Sequence, residues 1–100
     1  MTHDTVATER ENAGSLDTAH HVIDITSLDG AGAEQYDPEA EVGLDSPGRF
    51  GIDVRAQEDE SVLIRYDHVA GELSVVNVSD GTAVASGTDV GEVMLHVFGV

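Results

Sequence analysis

The sequence contains no cysteine, no tryptophan and no lysine among its 100 residues. The absence of cysteine excludes disulfides, thiolate metal sites and a cysteine nucleophile. Aromatic residues are scarce as well, with two tyrosines and two phenylalanines. A core must therefore be built from valine, isoleucine and leucine, and the β-branched members of this set favour strands.

Positive charge is also scarce. Four arginines face twenty acidic residues, which gives a formal net charge of −16. Binding to nucleic acid requires a basic patch, so neither a nucleic-acid partner nor an anionic membrane surface is expected. The chain has no apolar run near the roughly 18 residues of a membrane span. Residues 1–5 also lack the basic and apolar regions of a signal peptide, so we expect a cytoplasmic location.

This acidic balance, with arginine in place of all lysine, looks like that of a cytoplasmic protein from an extreme halophile. So large a charge of one sign produces strong self-repulsion at low ionic strength. At 1 M salt the Debye length falls to about 3 Å, which screens most of that repulsion. A disordered acidic tail is the alternative, but the valine-rich alternating stretches after residue 19 argue against it.

Residues 1–18 are polar without a sustained period, and we expect a flexible N-terminal segment there. Residues 19–100 are predicted to form one domain of short strands separated by turns. The predicted strands are residues 20–28, 39–44, 50–56, 62–66, 73–78, 82–85 and 93–97. Such a pattern predicts an all-β fold, an antiparallel β-sandwich of jelly-roll or concanavalin-like type. Its predicted core comprises Phe50, Ile52, Val54, Val62, Ile64, Tyr66, Leu73 and Val75.

Three segments in the middle of the chain are more specific than the composition. FGIDVR at residues 50–55, ESVLIRYD at residues 60–67 and GELSV at residues 71–75 follow one another with short turns between them. Their order and spacing resemble the C-terminal β-sandwich of family 32 glycoside hydrolases, the β-fructosidases. The resemblance implies a core-facing role for Tyr66 and a turn-opening role for Asp67.

The chain also departs from that family. Val76, Asn77 and Val78 stand where family members usually carry Asp-Arg-Ser. The family sandwich continues through further strands, so the resemblance implies an abridged sandwich with an exposed sheet edge.

The catalytic chemistry of that family has no counterpart in this sequence. Retaining glycosidases use two carboxyl groups about 5 Å apart. In family 32 these groups lie on a separate five-bladed propeller, in motifs built around Asn-Asp-Pro-Asn-Gly, Arg-Asp-Pro and Glu-Cys, and none of the three motifs occurs here. We therefore expect no enzymatic activity, no catalytic residue and no cofactor.

Histidines provide the main candidates for a metal site. His20, His21 and Asp24 are close in sequence, but adjacent residues of a strand point to opposite faces, so His20 and His21 are not expected to chelate one ion. His68 in a turn and His96 in the last strand are interpreted as ordinary surface or packed histidines.

Two loops are candidates for ligand binding. The Gly30–Ala33 segment lacks the following helix and the lysine of a phosphate loop. The Gln57–Glu60 segment lacks the spaced oxygen ligands of a dedicated calcium loop. The sequence therefore predicts no metal and no cofactor-binding residue.

Three functions remain open. The first is a non-catalytic accessory domain that contacts a catalytic propeller, or a second copy through an exposed sheet edge. The second is a stand-alone carbohydrate-binding module, for which the scarcity of aromatic platforms is unfavourable. The third is an unrelated halophilic interaction domain whose hairpins imitate the family.

Overall fold

The computed structural model describes residues 2–13, 16–44 and 51–99. Within these ranges the chain forms seven strands and one short helix. The elements are β1 (His3–Ala13), β2 (Leu16–Ile25), β3 (Ala33–Gln35), α1 (Pro38–Val42), β4 (Ile52–Gln57), β5 (Val62–Asp67), β6 (Glu72–Asn77) and β7 (Gly91–Gly99).

The strands form two antiparallel sheets, which confirms the predicted all-β sandwich. The four-stranded sheet has the order β1-β2-β7-β4, and the three-stranded sheet has the order β3-β6-β5. Strands β4 and β5 are consecutive in sequence but belong to different sheets. The chain therefore crosses from one layer to the other in the loop between Gln57 and Val62.

One hydrophobic cluster lies between the sheets. Strand β7 shows how the sequence builds it, because Val93, Leu95 and Val97 are buried and alternate with more exposed residues. Five residues of the predicted core are buried as expected: Ile52, Val62, Ile64, Leu73 and Val75. Val54 and Tyr66 are partly buried and pack against the cluster. Phe50 lies outside the described residues.

Strand β1 occupies the segment that we expected to be flexible. His3–Ala13 pairs with β2 along its length, with a bulge between Thr5 and Ala7. The described side chains from Asp4 to Glu11 are exposed. Because backbone pairing holds this edge strand in place, it needs no apolar stripe, and its sequence shows no period of two.

The predicted strand at residues 39–44 is also wrong, because Pro38–Val42 forms helix α1. Asp37 caps its N-terminus by accepting a hydrogen bond from the backbone N–H of Glu39 at 3.1 Å. Pro38 occupies the first turn, and Gly43 ends the helix with a φ of 73°. The helix buries Val42, which the alternating pattern had assigned to a strand face.

No strand forms between the end of β6 and the start of β7. The predicted strand at residues 82–85 is reduced to an isolated bridge between Val76 and Ala83. Nearby, Gly32 has a φ of 69°, and a Cβ atom on it would lie 2.8 Å from the Cβ of Ala83. Glycine is therefore required at residue 32 both for its backbone conformation and for the close approach of the two segments.

Candidate functional site

A buried polar cluster, which we call the His3 cluster, joins β1, β3 and α1. Its members are Thr2, His3, Glu34 and Glu41. His3 and Glu34 are buried, with 5% and 0% of their surfaces exposed. Nδ1 of His3 contacts Oε2 of Glu34, and Nε2 contacts Oε1 of Glu41 at 2.6 Å.

Glu34 is fully supplied with hydrogen-bond donors. Its Oε2 accepts from the hydroxyl of Thr2 and faces His3, while its Oε1 accepts from the backbone N–H of Asp29 at 2.9 Å. A buried carboxylate without such donors would be strongly destabilising. The cluster therefore provides the solvation that Glu34 lost on burial.

The protonation of His3 follows from its two acceptors. Burial alone lowers its pKa, but the hydrogen bonds to Glu34 and Glu41 outweigh burial, so the pKa of His3 is raised. A carboxylate only accepts hydrogen bonds, so both ring nitrogens of His3 donate and the ring is an imidazolium. The cluster is therefore an ion-paired junction between three elements.

A second buried histidine lies beside the His3 cluster. Nδ1 of His21 is 2.6 Å from the hydroxyl of Tyr36, and its Nε2 is 3.0 Å from the hydroxyl of Thr5. Burial lowers the pKa of His21, which favours a neutral ring with one donor and one acceptor nitrogen. Burial also raises the pKa of Tyr36, so this pair is an uncharged hydrogen-bonded link inside the core.

A cleft of about 360 Å³ opens next to the His3 cluster. Its lining is Thr2, His3, Asp29, Gln35, Asp37 and Glu41. Both nitrogens of His3 are occupied by protein carboxylates, so the ring has no free nitrogen to exchange a proton with a bound molecule. The arrangement is suited to fastening β1 onto the rest of the domain rather than to acid–base chemistry.

The outer face of the four-stranded sheet carries two cross-strand rows. The register aligns the apolar row, Ala7, Val22, Met94 and Ala56. Met94 is 40% exposed. A shallow groove of about 400 Å³ is lined by Val22, Ala56 and Met94 together with Gln57, Glu58 and Glu92. Apolar side chains therefore meet solvent beside carboxylates on this face.

The neighbouring histidine row consists of Glu9, His20, His96 and Asp53. The rings of His20 and His96 are stacked, with centroids 4.3 Å apart and planes at 11°. His96 also contacts Phe98, again at 4.3 Å between centroids. Burial, His20 and Arg55 lower the pKa of His96, so its ring is neutral near pH 7.

The structure places the candidate metal ligands His20 and His21 on opposite faces of β2, as the alternation of side chains along a strand predicted. His21 points into the core, while His20 and Asp24 lie on the other side of β2 and are partly exposed. His68 is exposed in the turn after β5. The pairing that the sequence analysis missed is that of His20 with His96, because residues 76 positions apart become neighbours only through the β2–β7 register.

The two loop candidates are turns. Gly30 and Ala33 form an isolated bridge that leads into β3. In the Gln57–Glu60 segment, Asp59 accepts hydrogen bonds from Ser61, which lower the pKa of Asp59.

Tyr66 and Asp67 occupy the positions that the family resemblance implied. Tyr66 packs against the core, and burial raises its pKa. Asp67 accepts hydrogen bonds from the backbone N–H groups of Val69 and Ala70 and so shapes the turn after β5.

No helix within the described residues is long and apolar enough to cross a membrane. In the same ranges, no group of three or more His, Asp or Glu side chains is arranged to hold a metal ion as the side chains lie. Comparison of the chain with protein-family models, with curated proteins and with solved structures finds no match.

Proposed function

We propose that this chain is a non-catalytic β-sandwich domain that binds another protein through the outer face of its four-stranded sheet. The observation that carries the proposal is the apolar row, which no other element of the described chain covers. A sheet face that is exposed to water alone is normally polar. Val22, which is half-buried, and Met94 instead place apolar surface there.

Charge complementarity indicates the chemistry of the partner. Carboxylates border the apolar row on both sides: Asp24, Glu58 and Glu92 on one, and Glu9 and Asp53 on the other. A second copy of the chain would bring like charges together, which disfavours self-association. The partner that fits is a protein segment with an apolar ridge flanked by lysine or arginine.

An accessory role of the kind implied by family 32 is compatible with this surface. The turn geometry of Asp67 and the packing of Tyr66 support that relationship. We expect the purified domain to release no fructose from sucrose, inulin or levan. Release that a single Asp or Glu substitution abolishes would contradict a non-catalytic role.

Carbohydrate binding receives less support. Tyr36 is buried and Tyr66 packs against the core. Among the residues that the structure describes, stacking on a sugar ring would fall to Phe98, which is half-buried and already in contact with His96.

The test uses a synthetic amphipathic helical peptide of leucine and lysine, with binding followed by fluorescence anisotropy in molar KCl and again at about 0.2 M KCl, where charge interactions are less screened. Met94→Asp should weaken binding roughly tenfold, which corresponds to about 1.4 kcal/mol. The matched control is Val69→Asp, which adds the same charge at a side chain that is 85% exposed in a turn. This control should bind as the unmodified protein does.

The two variants distinguish binding at the apolar row from nonspecific electrostatic attraction between the peptide and the acidic chain. If charge alone held the peptide, both added carboxylates would leave binding unchanged or tighten it, and the proposal would fail. Light scattering provides a second check. A dimer that Met94→Asp dissociates would show that a second copy, rather than a cationic partner, occupies this face.

A further inference from the structure

The outer face of the three-stranded sheet carries a second apolar row. The register and an isolated bridge align its members across the sheet: Leu63 on β5, Val76 on β6 and Ala83 beside β6. Leu63 is 45% exposed and Ala83 is exposed, whereas Val76 is half-buried. Val78, which is 62% exposed, lies just beyond the end of β6. Within the described ranges no element covers this second row, so apolar side chains meet solvent on both faces of the sandwich.

The charges beside the second apolar row have both signs. Arg65 lies in the next cross-strand row, opposite Ser74, and Glu72 lies one row further along β6. Asp67 is opposite Glu72, but its carboxylate is engaged in the turn after β5. None of the ion pairs among the described residues involves Arg65, which is exposed. Its guanidinium is therefore available to a carboxylate of another molecule.

We propose that this face is the contact surface of a homodimer, in which two copies of the chain pack their three-stranded sheets against each other. A two-fold axis parallel to β6 superposes the two copies of the second apolar row. Leu63 of each copy then faces Ala83 of the other, and the two Val76 side chains meet on the axis. Large side chains face small ones on both sides of the axis, which allows the two sheets to interdigitate.

The same axis brings opposite charges together. Arg65 of one copy faces Ala33 of the other, a small residue that leaves space for the guanidinium. Glu72 of that second copy lies about 7 Å further along the strand, within reach of an arginine side chain. The symmetry forms this pair twice. An axis perpendicular to the strands would instead press the apolar rows against the row of Asp67 and Glu72, which costs the hydration of those carboxylates.

A second copy fits this face better than a cationic partner does. A basic protein would meet Arg65 here, whereas carboxylates border the apolar row of the four-stranded sheet. The net charge of −16 opposes dimerisation at low ionic strength. At 1 M salt the Debye length of about 3 Å screens that repulsion and leaves the contacts at the interface. A face of three strands about 4.8 Å apart is small, so we expect a dimer that dissociates on dilution.

Sedimentation equilibrium in molar KCl over a range of concentrations tests the dimer. The unmodified chain should dimerise, and it should do so more weakly at about 0.1 M KCl. Leu63→Asp should raise the dissociation constant by roughly tenfold or more, because it buries a carboxylate against Ala83 without a partner. The matched controls, Val69→Asp in a turn and Met94→Asp on the other sheet, add the same charge at exposed side chains. Both controls should dimerise as the unmodified chain does.

Two charge-reversal variants identify the contact itself. Arg65→Glu and Glu72→Arg should each form weaker homodimers, since like charges then meet across the axis. Mixed in equal amounts, the two variants should form a heterodimer, because each copy supplies the charge that the other requires. Such restoration would also show that both variants are folded.

Three results would each overturn the homodimer. The first is a chain that stays monomeric up to about 1 mM, and the second is equal dimerisation of Leu63→Asp and Val69→Asp. The third is a mixture of the charge-reversal variants that forms no dimer. A dimer that Met94→Asp alone dissociates would place the second copy on the four-stranded sheet and would also contradict the proposal. None of these results depends on the binding of the leucine–lysine peptide to the other face.

Discussion

Glu34→Gln is the substitution that tests the His3 cluster most directly. Glutamine keeps the size of the side chain but replaces one carboxylate oxygen with an amino group. If that group faces Asp29, it meets a backbone N–H, and if it faces His3, it meets the imidazolium and the Thr2 hydroxyl. One donor–donor conflict therefore arises in either orientation.

The expected loss follows from these contacts. A buried donor left without an acceptor costs about 1–3 kcal/mol, and a hydrogen bond to a charged group contributes about 1.5–3 kcal/mol. His3 can release its proton in response, which lowers the sum, so we expect a loss of about 2–4 kcal/mol in the free energy of unfolding. Such a loss is a large share of the roughly 5–15 kcal/mol of a typical domain.

Urea denaturation in molar KCl at pH 6 measures this change, with Glu60→Gln as the control. Glu60 is exposed beyond β4, so its substitution removes the same charge at a cost within about 0.5 kcal/mol. The control matters because removing any acid from a chain of net charge −16 relieves repulsion.

The effect of pH supplies a second criterion. The pKa of folded His3 lies above the 6.5 that is usual for histidine, so its stabilisation is complete well below pH 6.5 and disappears as pH rises through the folded pKa. The difference between the unmodified protein and Glu34→Gln should therefore shrink over the same range. The ion-paired junction would be refuted if Glu34→Gln and Glu60→Gln changed the free energy of unfolding equally at pH 6. It would also be refuted if the effect of Glu34→Gln did not depend on pH.

Three other predictions concern packing and charge. Gly32→Ala should lower the free energy of unfolding by about 1–3 kcal/mol, and by more than Gly81→Ala. Both glycines have a positive φ, but only a Cβ atom at residue 32 would lie 2.8 Å from the Cβ of Ala83. Equal losses of stability in thermal unfolding would contradict the close approach. Ile64→Ala should lower the free energy of unfolding by about 2–5 kcal/mol. The side chain of Leu63 on the same strand is 45% exposed, so Leu63→Ala should cost less than about 1 kcal/mol. Similar denaturation midpoints for the two variants would place Ile64 outside the core. The melting temperature should rise between about 0.1 and 2 M KCl as screening relieves the folded state, and a flat or falling curve would leave the acidic composition without a physical explanation.

The sequence predicted the strands whose side chains alternate between core and solvent. Strands β5 and β6 show this, because Ile64 and Val75 belong to stretches with a clear period of two. Strand β1 was missed because an edge strand held by backbone pairing carries no such pattern. Helix α1 was missed although Asp37 and Pro38 form a recognisable helix start, since three alternating apolar residues after it favoured a strand.

The candidate sites depend on which residues of neighbouring strands lie opposite each other. The pattern of residues within one strand carries no information about that register. His3 meets Glu34 and Glu41 only after β1 lies beside β2 and α1 packs nearby. His20 meets His96 only through the pairing of β2 with β7. Alternation did predict that His20 and His21 would separate, because that relationship is fixed within one strand.

The His3 cluster fastens the end of β1 that lies away from the β1–β2 hairpin. At the opposite end, Ala13 pairs with Leu16 and the chain itself joins the two strands. At the His3 end, Ser27 donates a backbone hydrogen bond to Thr2 at 3.2 Å and Glu34 contacts the imidazole ring. Without these contacts β1 would separate from β2 starting at His3, so Glu34→Gln should accelerate amide hydrogen exchange most near that residue. The edge of β2 would then be uncovered from its Ile25 end, so the cluster determines how much of that edge a neighbouring molecule meets before the domain unfolds as a whole.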